Sequence, residues 1–212
     1  MARPETGRSS RAPVSTPPAT AQPHPIRRPL SDPPGGMLMW IVVALELAAF
    51  GIIFVFIALL RRGDPAMFRA GQAALDPWMG LGLTVVLVTS GWLTAEAVRA
   101  FRLGALVRSR RLYGAAIVSG LGFVVLKLVD YASKLTSGHT LGVNDFWDAY
   151  LLGTGFHFAH VLVGLGLLTS VALRVGRTRF EDDETAIAGT ALFWHMCDIA
   201  WFFLFPLFFM RA

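Results

Sequence analysis

Eight ionisable side chains interrupt long apolar runs in this chain: Glu46, Glu96, Lys127, Asp130, His157, His160, His195 and Asp198. Their spacing limits what they can do. His157 and His160 are three residues apart, so on a helix both point to one face. His195 and Asp198 repeat that relation. Three imidazoles and a carboxylate are chemically adequate ligands for a transition metal, and a histidine for a haem iron. The same groups can instead bond one another between helices and satisfy each other in a dry interior. A carboxyl in mid-membrane, as at Glu46, could also relay protons. Lys127 and Asp130, again three apart, can neutralise each other as a local ion pair near the membrane surface. Cys197 is the only cysteine, so no intramolecular disulfide can form; beside His195 it reads as core filler. No phosphate loop, GxGxxG turn, nucleophile elbow or HExxH motif occurs.

These groups need elements to carry them, and the composition says which kind. Of 212 residues, 54% are apolar and 16% are charged, against roughly a quarter charged in ordinary soluble domains. Mean hydropathy is +0.55. A soluble enzyme of this size could not cover so much apolar surface with so few charges. The formal charge of +5 lies between apolar runs, which favours lipid head groups over nucleic acid as the counter-charge.

Residues 1–36 hold nine of the twelve prolines and five arginines. Such a segment cannot bury enough surface to offset its chain entropy, and it reads as a disordered cytoplasmic tail. It has neither the apolar h-region nor the cleavage site of a signal peptide. Residues 37–212 form the second domain, a series of apolar spans at about 37–60, 78–101, 112–131, 149–173 and 187–210. Spans of 20 to 25 residues reach on the order of 30–37 Å, enough to cross a hydrocarbon core. Without period-2 alternation they must be helices. The expected fold is an all-α integral membrane protein, a five-transmembrane-helix bundle with antiparallel neighbours. Thirteen Lys and Arg lie on the side of the N-terminus and five on the other, Lys127 standing inside a span. That bias predicts a cytoplasmic N-terminus and an outside C-terminus.

Depth then sorts the polar residues. Counted from the outer helix ends, His160, Asp198, Glu46 and His195 lie about 17, 18, 21 and 22 Å deep at ~1.5 Å per residue. Four groups from three helices are expected to share one buried polar layer, with His157 one turn nearer the outside. Glu96 lies near the cytoplasmic end, within reach of Arg99. The aromatic end of the last span, from Trp201 to Phe209, is expected to face lipid or neighbouring helices. Pro206 should loosen its last turn.

The motifs resemble subunit III of the haem–copper oxidases. The first span reads MWIVVALELAAF, with Glu46 and Phe50 matching the family's buried Glu and following Phe. The third carries LKLVDY, where Asp130 and Tyr131 match an acid–Tyr pair. The fourth carries TGFHFAHVLVG, the family's TGFHxxHVxxG, complete from Thr154 to Gly164. The fifth carries FWHMCDIAWFFLFPLFF, similar to WHxxDxxW at Trp194, His195, Asp198 and Trp201. The five-helix form lacks the two leading helices of the mitochondrial type. It is similar to the short subunit III of quinol oxidases and to the accessory protein of bacterial nitric oxide reductases. TSGW in the second span, Lys127 and LFP in the fifth look more like the accessory protein.

The resemblance implies an accessory subunit with no redox centre or catalytic residue of its own, supporting the activity, assembly or stability of nitric oxide reductase. The alternative is subunit III of an aerobic cytochrome c or quinol oxidase. It implies a bacterial inner-membrane location, a catalytic haem-containing membrane subunit as partner, and bound phospholipid in a cleft between helix groups. It also implies no haem or metal at His157, His160, His195 or Asp198. An independent membrane metal or haem protein, or a small proton conductor through Glu46, are the other readings. Spectra of the isolated chain and liposome flux discriminate them.

Overall fold

Two Asp-Pro pairs start two of the helices. Asp64 accepts from the backbone N–H of Ala66 and Met67 and precedes Pro65. Asp76 accepts from Trp78 N–H and precedes Pro77. In both, the proline takes the first helical position, where no donor is needed. Asn144 caps a third helix by accepting from Trp147 N–H.

The computed structural model describes residues 35–177 and 183–210, within one compact unit spanning Asp32–Ala212. The helices are α1 (Gly36–Gly63), α2 (Pro65–Ala73), α3 (Pro77–Arg102), α4 (Leu106–Thr136), α5 (Asp145–Arg174) and α6 (Asp183–Phe209). Five of them, all but α2, are long and apolar enough to cross a membrane. The proline-rich tail, apart from Gly35 and Gly36, lies outside the described residues, as do Glu181, Asp182 and Arg211.

The span boundaries differ from the sequence expectation. α4 starts six residues before position 112 and ends five after 131, and α5 starts four before 149. The apolar limit of a span marks the edge of the hydrocarbon. The helix itself continues into the headgroup layer until a cap or glycine stops it. Gly104, at φ +74°, makes the tight α3–α4 turn. The short helix α2 was not anticipated. Its buried side is Phe68, Gly71 and Gln72, and Phe68 meets Phe146 of α5 edge-on, with centroids 5.2 Å apart.

α6 is the central element, packed against α1, α3 and α5. More than half of its apolar window, 56%, is buried, against 17% for α1. A helix apolar on every side suits an inner position, because no face needs water. α1 joins at several places. Gly35, at φ +88°, lies so close to Gly189 that an added Cβ would stand 2.8 Å from its Cα. Farther along, Phe50 packs on Phe156 with centroids 5.0 Å apart. α3 and α4 form the tightest pair, held by hydroxyl bonds from Ser90 to Ala116 O (2.7 Å), Ser119 to Val86 O (2.7 Å) and Ser109 to Ala97 O (2.8 Å). Small polar residues let helix backbones approach in lipid, where apolar packing alone gives no preference.

Candidate functional site

The polar residues resolve into two mid-span pairs rather than one shared layer. The first joins α1 to α5. His160 Nε2 lies 2.9 Å from Glu46 Oε2. Its Nδ1 lies 2.8 Å from the carbonyl of Phe156. A carbonyl only accepts, so Nδ1 carries the hydrogen. The Nε2–Oε2 contact must then hold a proton of its own, on the carboxyl or on the ring. The pair is half-buried, with side chains 13% and 30% exposed, and Phe50 and Phe156 pack on the imidazole.

The second pair lies within α6. His195 Nδ1 lies 3.0 Å from Asp198 Oδ2, within hydrogen-bond distance, the three-residue spacing closing locally. Asp198 is buried over Gly91 of α3, where any Cβ would collide with its carboxylate. Its Oδ1 is buried without a hydrogen-bond partner among the described residues. His195 is not buried: its side chain is 40% exposed. Depth from the sequence placed His195 and Asp198 with Glu46 and His160, but depth along a helix does not specify which way a side chain faces.

His157 joins neither pair. It is fully buried, and neither ring nitrogen has a hydrogen-bond partner among the described residues. Its ring sits among Phe50, Phe123 and Trp201. The i, i+3 relation to His160 holds along the chain, but the two imidazoles serve different neighbours. Among the described residues, no three His, Cys, Asp or Glu side chains converge as a metal site needs.

The strongest polar cluster lies on α4 and α5. Lys127 and Asp130, expected as a local pair near the surface, are buried, and Lys127 has no exposed area. Lys127 Nζ donates to Asp130 Oδ2 at 2.9 Å and to Tyr150 Oη at 2.8 Å. Tyr150 in turn donates to Asp130. The ammonium also stands 4.5 Å from the ring centroids of both Tyr131 and Tyr150, and 5.8 Å from that of Trp201. Tyr131 Oη meets Thr154 Oγ1 at 2.9 Å. The buried charge is thus held by a carboxylate, a phenol and aromatic faces together. Glu96 is paired at the α3–α4 end with Arg99 (3.4 Å) and Arg108 (3.9 Å).

The sequence matches a known family over most of its length. The profile of cytochrome c oxidase subunit III matches residues 39–212. The chain belongs to the cytochrome c oxidase subunit III family. It is similar to the "Probable cytochrome c oxidase subunit 3" of Mycobacterium bovis, at 27% identity over 194 residues, 91% of this chain and 94% of that protein. It is similar to the "Probable quinol oxidase subunit 3" of Staphylococcus haemolyticus, at 25% over 175 residues, 81% of this chain and 86% of that protein. It also resembles the "Heme-copper oxidase subunit I+III" of Aeropyrum pernix, at 26% over 180 residues, 81% of this chain and 22% of that longer protein. These relatives are named as oxidase subunits. The closer likeness to a nitric oxide reductase accessory protein, expected from TSGW, Lys127 and LFP, is not what they carry.

Several residues that hold this subunit III family member together had no bonding role assigned from the sequence. Tyr150 and Thr154 complete the Lys127 cluster, Thr154 donating to Tyr150 O at 2.6 Å. Trp201, expected with the other aromatics to face lipid or neighbouring helices, is buried against a neighbour and donates its indole N–H to Thr84 at 2.9 Å. Phe208 and Phe209 are buried too, while Phe202 and Phe203 are exposed. Gln72 donates to Leu207 O (2.9 Å) and Met210 O (3.2 Å). It thereby caps the end of α6, where Pro206 stands inside the helix and the last carbonyls lack helical donors. The available signal for Gln72 was a lone polar residue on a short amphipathic segment.

Proposed function

We propose that this protein is the third, non-catalytic subunit of an aerobic haem–copper oxidase, seated in the bacterial cytoplasmic membrane against the haem-bearing catalytic subunit. The observation that carries this reading is the family match from residue 39 to 212, together with relatives named as subunit 3 of cytochrome c and quinol oxidases. The Aeropyrum pernix relative, named as subunits I and III in one chain, supports subunit I as the partner. The polar chemistry supports the same role. Glu46 with His160 ties α1 to α5, and Lys127 with Tyr150 ties α4 to α5, while His195 with Asp198 closes within α6. The first two contacts hold helices together.

The orientation we propose puts the N-terminus in the cytoplasm, by the Lys and Arg bias. The phospholipid we propose lies in the groove of about 560 Å³ between α1 and α5, lined by Ile53, Phe56, Ile57, Leu152 and Phe156, with Asp145 and Asp148 at one end.

Affinity purification from native membranes tests the assignment. The expected result is co-purification of a large haem-containing subunit with oxygen-reducing activity. Recovery with nitric oxide reductase subunits would return the protein to the denitrification reading. Recovery alone and without haem would overturn both.

A further inference from the structure

We infer that the outward stripe of α6 centred on His195 is the surface on which the catalytic subunit docks, a membrane helix of that subunit bringing a hydrogen-bond donor to His195 Nε2; this rests on the accessory-subunit reading. α6 is covered by α1, α3 and α5 on its other sides. Along its membrane-spanning middle, the side chains it leaves most open are His195, with 40% of its side chain exposed, and Ile199, Phe202 and Phe203, at 46%, 54% and 55%. These positions are i, i+4, i+7 and i+8, a single helical stripe. His195 stands eleven residues from Glu184 and fourteen from Phe209. At ~1.5 Å per residue that is about 17 and 21 Å from the two ends, the middle of the hydrocarbon.

The ring is held, not loose. Nδ1 lies 3.0 Å from Asp198 Oδ2, and Asp198 is seated against Gly91. A carboxylate only accepts, so we assign the ring hydrogen to Nδ1; Nε2 then presents a lone pair, and no described residue bonds to it. Acyl chains cannot answer that lone pair, and head groups lie too far away along the helix. Two copies packed stripe to stripe would leave both nitrogens bare, since Ile199, Phe202 and Phe203 donate nothing. A foreign helix with an apolar face and one hydroxyl, carboxamide or indole at mid-span satisfies both the apolar residues and the imidazole.

Photo-crosslinking in the purified wild-type-like complex tests this. p-Benzoylphenylalanine is placed at Ile199 or Phe202, and at Val118 or Val125 on α4 as exposed controls (70% and 58%). The expected result is crosslinking of the α6 sites to the catalytic subunit at least tenfold above the α4 sites. Adducts only with lipid, adducts with a second copy of this chain, or equal yields from both helices would overturn it. None of these probe sites supports a buried contact, so folding is not at stake. For the donor, His195→Leu should reduce catalytic subunit retained after a detergent wash at least fivefold, and His195→Gln should restore most of it. Equal retention in all three proteins would overturn that half. If the wild-type protein retains no haem-bearing subunit, the accessory-subunit reading fails; if it does and the stripe stays unlinked, the docking inference fails alone.

Discussion

Lys127 is the residue with most at stake. Its ammonium has no exposed surface and two hydrogen-bond partners, Asp130 and Tyr150. Lys127→Met leaves the buried Asp130 with the phenol but no counter-charge. The expected loss is about 3 kcal/mol, since removing one partner of a buried pair strands the other. Lys127→Met with Asp130→Leu should recover part of it. Thermal melting in detergent reads both, and a single variant that melts with the wild type would show that the charge is dispensable. The Glu46–His160 contact behaves differently. Glu46→Gln keeps a donor for Nε2 and should be nearly silent. Glu46→Leu should cost about 1 kcal/mol, the scale of an intramembrane hydrogen bond. Equal melting of the two variants would mean that the contact contributes nothing.

At the scale of elements, the α3–α6 contact depends on the absence of a side chain. Gly91 leaves room for the Asp198 carboxylate, so α6 can bury one polar group against α3 and still point His195 outward. Gly91→Ala should push Asp198 away, break its bond to His195 and cost about 1–3 kcal/mol as an overpacked contact. Melting gives the cost, and the histidine ring nitrogen shifts in NMR spectra report the bond. Unchanged shifts would contradict the arrangement. The α3 start at Pro77 lies one residue from the apolar-run boundary, and the α5 start was readable in principle from Asn144. The apolar run missed the α5 start because hydropathy measures where lipid ends, not where a helix is capped.

At the scale of the whole molecule, cohesion is uneven. α3 and α4 share three hydroxyl-to-carbonyl bonds. α1 buries only Val43, Phe50 and Ile57. α1 should therefore separate first. In an SDS titration, Val43→Cys should become reactive to a maleimide at lower detergent than Leu83→Cys, which sits in the core. Simultaneous exposure would show that the five spans come apart as one unit.

By itself the sequence determined that the chain carries five helices long and apolar enough to cross a membrane, and which helices carry the ionisable groups. Both follow from the cost of leaving backbone or charge unpaired in hydrocarbon. The motifs TGFHFAHVLVG and FWHMCDIAW sufficed to mark the family. Spacing also anticipated the bond from Lys127 to Asp130, because an i, i+3 contact is closed within one helix, and placed His195 and Asp198 on one helix face. Only the tertiary structure decided that Glu46 and His160 meet each other while His157 bonds to neither. It alone brought Tyr150 to Lys127, Gln72 to the end of α6 and Gly91 beneath Asp198. Depth along an axis can be counted from residues, but the rotation of each helix about that axis is settled only when neighbouring faces pack.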